Sequence, residues 1–151
     1  MMSMTEQITR MRKLYPAFEV VFNGGWHVVW KGALRPFSQT YVVRVEVVES
    51  HTIGDLRVVG TLGANVTLVS PELELSTDKA PGEDTPHLYW NERNPRKSRL
   101  CLFDPATAEW TRDKTIAETI IPWTIDWLAS YEGWRATGEW TGGGRHPEIP
   151  K

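Results

Sequence analysis

The sequence predicts an α+β fold in which an N-terminal helix, a four-stranded antiparallel meander, a long irregular segment and a C-terminal helix follow one another. Three observations support this fold class: a capping signal with helical spacing near the start, alternating apolar residues through the first half, and a second helical stripe near the end. The chain has 151 residues, of which 40% are hydrophobic. This size and composition predict a single domain over residues 1–151 with a core of its own.

The first helix is predicted over residues 4–14. Ser3 and Glu6 have the spacing of a capping box, in which the two residues satisfy each other's backbone N–H groups. Pro16 stops the helix, because the residue before a proline avoids the helical conformation. The apolar residues of the segment recur at helical intervals, at Met4, Ile8, Met11 and Leu14.

Four strands are then predicted, over residues 18–22, 26–34, 41–48 and 56–69. The sequence Asn-Gly-Gly at 23–25 is a turn signal between the first two strands. In the third strand valines alternate with Arg44 and Glu46, which gives one apolar face and one wetter face. The fourth strand has a break near Gly63. Short connections between these strands favour an antiparallel meander.

Regular patterns are weak over residues 71–104, which we predict to be a long irregular segment with a functional role. A second helix is expected to begin near Pro122, a residue suited to a first helical turn. Either Gly133 or Gly138 ends it. Trp127 and Trp134 are spaced by two helical turns, so they share one helix face and belong to the core or an interface.

Composition excludes several classes of protein. No apolar run reaches the roughly 20 residues that span a bilayer, and the first residues lack the apolar centre of a signal peptide. The single cysteine rules out an internal disulfide and a cysteine-rich zinc site. A net charge of −2 without a long block of like charge gives no sign of a nucleic-acid partner. We therefore expect a cytoplasmic protein without a membrane partner.

Cys101, in the sequence SRLCLFDP, is the main candidate for chemistry. A lone cysteine is most often a small buried hydrophobic residue. Against that interpretation, it lies at the end of a long loop, where functional groups concentrate. Alternation would turn Leu100 and Leu102 towards the core and the sulfur to the other face. Nearby cations, which favour a thiolate, precede it at Arg93, Arg96, Lys97 and Arg99.

Other polar residues near the cysteine have two interpretations each. His87 is either an exposed loop residue or one that holds the loop by hydrogen bonds. Asn91 and Asn94 are amide donors, and either could stabilise an oxyanion. Either could equally be a turn-forming residue. His146, in the C-terminal tail, is more typical of a solvated position. The spacing alone places no imidazole beside the sulfur.

The order of these segments carries a resemblance. MTEQITRMRKLYP is followed by strands ending in VTLVSPELEL, then by TPHLYWN, RLCLF and PWTIDWLASYEGW. In this order the whole chain resembles the ubiquitin-conjugating enzyme (UBC) fold, and especially the bacterial ubiquitin-conjugating-like proteins of anti-phage CBASS operons. The tail YEGWRATGEWTGGGRHPE is similar to the tryptophan- and glycine-rich ending of those bacterial proteins.

This resemblance implies a function. Cys101 matches the cysteine that forms a thioester, and His87 matches the histidine of the family's His-Pro-Asn motif. The asparagine position of that motif is Tyr89 here, and Asn91 is the nearest asparagine. The resemblance implies a transferase that carries the C-terminus of a partner protein, a cGAS-like nucleotidyltransferase, and passes it to an amine or another nucleophile. It implies no metal and no cofactor.

Two other functions are compatible with the residues. One is an inactive UBC-like binding module that scaffolds a partner protein, with Cys101 as an incidental buried residue. The other is a cysteine hydrolase, which would need an imidazole base beside the sulfur. The reactivity of the thiol towards alkylating reagents separates an accessible thiolate from a buried thiol.

Overall fold

The N-terminal helix α1 spans Met4–Leu14, as the capping signal predicts. The computed structural model describes residues 2–48, 52–53, 56–57, 63–74, 87–89, 91–103, 110–111 and 113–140. The Ser3 hydroxyl accepts a hydrogen bond from the Glu6 N–H, and the Ser3 N–H donates to the Glu6 carboxylate, both at 3.1 Å. This reciprocal pair satisfies two N–H groups that a helix otherwise leaves exposed, and so fixes where α1 begins.

A buried glutamine holds α1 against a later part of the chain. The Gln7 amide nitrogen donates to the Lys114 carbonyl at 2.9 Å, and its amide oxygen accepts from the Ile116 N–H at 2.9 Å. Both ends of this buried amide are therefore satisfied, as burial of a polar group requires. Helical spacing of apolar residues gives no sign of this contact, because the residue that makes it is polar.

The described strands are β1 (Glu19–Asn23), β2 (His27–Leu34), β3 (Tyr41–Val48), β4 (Thr52–Ile53), β5 (Leu56–Arg57), β6 (Gly63–Ser70), β7 (Leu88–Tyr89) and β8 (Arg99–Leu100). Strands β2, β3 and β6 have eight residues each, and the other described strands are shorter. A single 3₁₀ turn, Pro95–Lys97, lies between β7 and β8 among the described residues.

The main sheet has six strands, in the order β1-β2-β3-β6-β8-β7, so the prediction of four was wrong. Strands β1, β2, β3 and β6 form the expected antiparallel meander. Strands β7 and β8 extend the sheet from within the segment predicted to be irregular. Each has two residues, too few to show an alternating pattern, and only their pairing in space defines them.

The predicted fourth strand, over residues 56–69, also needs correction. Leu56–Arg57 pairs with Thr52–Ile53 in a separate two-stranded sheet, and the long strand β6 begins at Gly63. Residues 58–62 lie outside the described residues. The break expected near Gly63 therefore coincides with the observed start of β6, where this glycine has a positive φ of 96°.

One face of the sheet carries the core. Trp30, Val45 and Val66 lie opposite one another on β2, β3 and β6, and all three are buried. Gly32 permits a close approach on the same face: a Cβ atom there would lie 2.5 Å from the ring of Phe18. The alternation expected in β3 is confirmed, since its odd-numbered residues are buried while Arg44 is exposed and Glu46 is partly exposed.

The C-terminal helix α2 spans Ile120–Thr137 and begins two residues before the predicted position. It ends at Gly138, which has a left-handed φ of 80° and donates its N–H to the Trp134 carbonyl at 2.7 Å. Trp127 and Trp134 are both buried in the core, which is one of the two alternatives, core or interface, that the sequence left open.

Burial of Tyr41 makes the fold sensitive to alkaline pH. Burial first, and the Glu132 carboxylate second, raise the pKa of Tyr41 to about 12. In the unfolded chain this phenol ionises near pH 10, so the unfolded state loses its proton first. We expect the free energy of unfolding to fall as the pH rises from about 10 through 12, by roughly 1–3 kcal/mol for this residue. Urea unfolding at pH 8, 10 and 11.5 measures this loss.

The matched variant is Tyr41→Phe, which keeps the ring and removes the ionisable group. Its free energy of unfolding should decline less above pH 10 than that of the wild type. Tyr131 also has a raised pKa, caused mainly by burial, so a residual decline is expected in the variant. An identical decline in both proteins would contradict the assignment to Tyr41.

Candidate active site

Strands β7 and β8 bring the two main candidate residues together. Leu88 pairs with Leu100 and Tyr89 with Arg99 in an antiparallel register. Cys101 donates its backbone N–H to the carbonyl of His87 at 2.9 Å, which continues the same register by one residue. The cysteine and the histidine predicted from the sequence are therefore cross-strand neighbours at one end of the sheet.

His87 has an unusual backbone conformation. Its φ is 60°, in the left-handed region that a residue with a large side chain rarely adopts. Its carbonyl accepts a second hydrogen bond, from the indole N–H of Trp127 at 2.9 Å. One carbonyl oxygen thus joins Cys101, the residue that follows β8, to helix α2. The conformation of His87 positions that oxygen between the two donors.

Aromatic rings surround this connection. The imidazole of His87 is stacked on Trp140, with ring centres 5.0 Å apart and planes inclined by 22°. Trp140 in turn meets the edge of Trp127 at 5.3 Å, and Trp127 is stacked on Tyr131 at 5.3 Å. The chain after α2 therefore returns over the end of the sheet and contacts the His87 ring.

Cys101 itself is buried, with 5% of its surface exposed. Leu100 belongs to the main core cluster, as the alternation predicts, and Leu102 packs partly against it. On the face opposite the core, where the alternation puts it, the sulfur is covered and not open to solvent.

Asn91 and Asn94 lie in the turn before β8. The Asn91 side-chain oxygen accepts from the backbone N–H groups of Arg93 and Asn94, at 3.1 and 3.0 Å. The Asn91 N–H donates to the hydroxyl of the buried Ser98 at 3.1 Å. Asn91 therefore shapes the turn through its oxygen, which is the turn-forming alternative that the sequence left open. Its role as an oxyanion donor stays a prediction.

The cations upstream of the cysteine are distributed over different contacts. Arg96 pairs with Glu72 at 3.1 Å on the surface. Arg99 donates to the Asn65 side chain at 3.1 Å and lies over the ring of Tyr89, 5.5 Å from its centre. An exposed ion pair such as Arg96 with Glu72 contributes little stability. Arg99 has both a hydrogen bond and a cation–π contact, and these two contacts hold it in a defined position on the sheet. His146 lies outside the described residues.

Comparison with known proteins decides the family. A family model described as Type II CBASS E2 protein matches residues 7–147 of the chain. The chain belongs to the type II CBASS E2 family. No curated protein sequence matches it. The resemblance to bacterial ubiquitin-conjugating-like proteins is thereby confirmed, and the family indicates an E2-like role in antiphage defence with protein partners.

In this CBASS E2, the residues that the sequence missed are aromatic. Trp127 and Trp140 contact His87 through a hydrogen bond and a stacked ring, a contact that the sequence did not indicate for either residue. One signal was present: a buried tryptophan usually gives its indole N–H a partner, so a core-facing Trp127 required an acceptor nearby. The sequence does not show which carbonyl meets that need.

No group of three or more His, Cys, Asp or Glu side chains in the described ranges is placed to hold a metal ion. No helix within the same ranges is long and apolar enough to cross a membrane.

Proposed function

We propose that this CBASS E2 carries the C-terminal carboxyl of a partner protein as a thioester on Cys101 and passes it to an amine or another nucleophile. The observation that carries the proposal is the backbone hydrogen bond from Cys101 to His87, which pairs the only cysteine with the motif histidine in a chain of this family. The single-domain organisation and the cytoplasmic location stay predictions.

The chemistry proposed for Cys101 is acyl transfer. The sulfur attacks the carbonyl carbon of an activated partner C-terminus, a C–S bond forms, and the bond to the leaving group breaks. An amine then attacks the thioester, an amide forms and the thiolate leaves. A thioester keeps the acyl group reactive towards amines, and neither step requires a metal or a bound cofactor.

The identity of the acyl donor follows from the resemblance alone. It implies a cGAS-like nucleotidyltransferase as the partner, and we propose this class of protein as the donor. The acceptor is unknown. His87 contributes its carbonyl and its left-handed conformation to the position of the Cys101 strand, which makes it a positioning residue in this mechanism.

One observation favours the alternative of an inactive binding module. Cys101 is 5% exposed, and a thioester needs a sulfur that a partner's C-terminus can reach. The transferase therefore requires the chain around Cys101 to open. For the hydrolase alternative, the hydrogen bond that joins Cys101 to His87 uses the backbone carbonyl, which cannot act as a general base.

Intact mass spectrometry tests the proposal. The protein is purified from its own host without reductant and measured before and after treatment with dithiothreitol. We expect a protein-sized adduct that the thiol removes, and its mass identifies the donor. A chain without an adduct, whose thiol also resists iodoacetamide in the native state, would favour the binding module.

A further inference from the structure

The register between β6 and β8 puts Asn65 in the position opposite Cys101. Thr67 on β6 pairs with Arg99 on β8 in an antiparallel register, and continuing that register by two residues places Asn65 opposite Cys101. In β6 the buried residues Ala64 and Val66 face the core, so Asn65 belongs to the opposite face. Cys101 thus has His87 across one side and Asn65 across the other.

The orientation of the Asn65 amide is fixed by its neighbour. Arg99 donates a hydrogen bond to the Asn65 side-chain atom that is assigned as oxygen, at 3.1 Å. A guanidinium group only donates, so the atom that faces it must be the oxygen. The amide nitrogen, which is a donor, therefore points away from Arg99. This removes the usual uncertainty about which way an asparagine amide is turned.

The Asn65 amide nitrogen is buried and has no hydrogen-bond partner within the part of the chain that the structure describes. Buried donors in native proteins are nearly always satisfied, so a buried donor without a partner calls for an explanation. A partner that is present only during a reaction is one such explanation. An acyl oxygen on the neighbouring Cys101 is an acceptor of that kind.

We propose that Asn65 donates a hydrogen bond from its amide nitrogen to the acyl oxygen carried on Cys101. This inference rests on the proposed function, because it needs an acyl group on the sulfur. When an amine attacks the thioester, the N–C bond forms and the carbonyl electrons move to oxygen. The oxyanion then collapses, the C–S bond breaks, and the thiolate takes up the proton lost by the amine.

The hydrogen bond from the Asn65 amide nitrogen has its largest effect when the oxyanion forms. A fixed N–H in a site sheltered from water stabilises the negative charge that develops on that oxygen. Arg99 is a positioning residue in this arrangement, since it holds the amide by its oxygen. Asn91, the candidate from the sequence, has its oxygen engaged by two N–H groups of its own turn. Asn65 is therefore the better-placed asparagine for the acyl oxygen.

The test uses a synthetic peptide activated as a C-terminal thioester of a small thiol. Two rates are measured on the full chain: transfer of the peptide to Cys101, and alkylation of Cys101 by iodoacetamide. Both reactions use the same sulfur, but only acyl transfer forms an oxyanion. The ratio of the two rates therefore separates oxyanion stabilisation from any change in the access or ionisation of the thiol.

Asn65→Leu removes the donor at similar volume, and Asn65→Asp keeps an acceptor for Arg99 but cannot donate. For both we expect the ratio of transfer to alkylation to fall about 10- to 1000-fold. The matched control is Thr67→Val, which removes a polar group at similar volume two residues away on the same strand face. Its ratio should stay within about threefold of the wild type.

The outcomes distinguish the two proposals. If the wild type accepts the peptide and both Asn65 variants keep its ratio, Asn65 is not the donor and the proposed function stands. If transfer and alkylation fall by the same factor, Asn65 acts on the thiol and the inference is again overturned. If the wild type accepts no peptide, or Cys101→Ala accepts it equally well, the proposed function fails and the role of Asn65 fails with it.

Discussion

Replacing Cys101 with alanine is expected to abolish the thiol-labile adduct while the protein remains folded. The acyl group needs the sulfur, and no other cysteine is present to take it. The change removes one buried atom that lies outside the main core cluster, so we expect a loss of about 1 kcal/mol in the free energy of unfolding. Intact mass spectrometry measures the adduct, and urea unfolding measures the stability.

Cys101→Ser is the informative companion to the alanine variant. A serine hydroxyl is a weaker nucleophile, but it can hold an acyl group as an ester. An adduct on this variant should resist dithiothreitol and be released by hydroxylamine. A folded alanine variant with an undiminished adduct would show that the acyl group is carried elsewhere, and would remove Cys101 from the mechanism.

Replacing Trp127 with alanine is expected to have the largest effect on stability. The side chain is 4% exposed, belongs to the core, stacks on Tyr131 and donates to the His87 carbonyl. Truncation of a large buried aromatic residue typically costs about 3–5 kcal/mol. Because the same ring meets Trp140, we also expect the stacking over His87 to loosen. Urea unfolding and the rate of Cys101 alkylation measure the two effects.

Trp127→Phe separates the hydrogen bond from the packing. It keeps a ring against Tyr131 and loses the indole N–H, so we expect a smaller loss, on the order of 1–2 kcal/mol. Trp134→Phe is the matched control, because Trp134 is stacked on the same residue, Tyr131, and lies two helical turns after Trp127. If Cys101 is alkylated at the same rate in both phenylalanine variants, the hydrogen bond from Trp127 to His87 does not hold the segment that carries Cys101 in place.

Several elements could be predicted because their cause is local. Helix α1 is confirmed to the residue, since the capping pair Ser3 and Glu6 and the proline at position 16 act within a few residues of its ends. Strand β3 follows the alternation from Tyr41 to Val47. The glycine-rich turn is confirmed as well: Gly25 has a positive φ and donates to the Asn23 side chain at 2.9 Å.

The elements that were missed depend on distant parts of the chain. Strands β7 and β8 exist because they pair with each other and with β6, and two residues carry no periodic signal of their own. The start of α2 was misplaced because Pro122 is tolerated anywhere in the first turn, and it occupies the third helical position rather than the first.

The residues of the site also separate into those indicated by nearby sequence and those that depend on distant parts of the chain. Cys101 and His87 could be proposed from motifs, and the structure places them opposite each other. Asn65 could not be found this way, because it lies 36 residues earlier, inside an ordinary alternating strand. Its position beside the cysteine results from sheet order, which places β8 between β6 and β7. The sequence left burial of Cys101 open as one of two alternatives, and the structure shows it buried.

The depth of Cys101 has a consequence for the lifetime of a loaded protein. Water hydrolyses thioesters, and small cellular thiols exchange with them, so an acyl group on an open surface is exposed to loss by both reactions. A sulfur that is 5% exposed is sheltered from both. In the proposed function, the opening that admits the donor also sets how long the acyl group stays on Cys101.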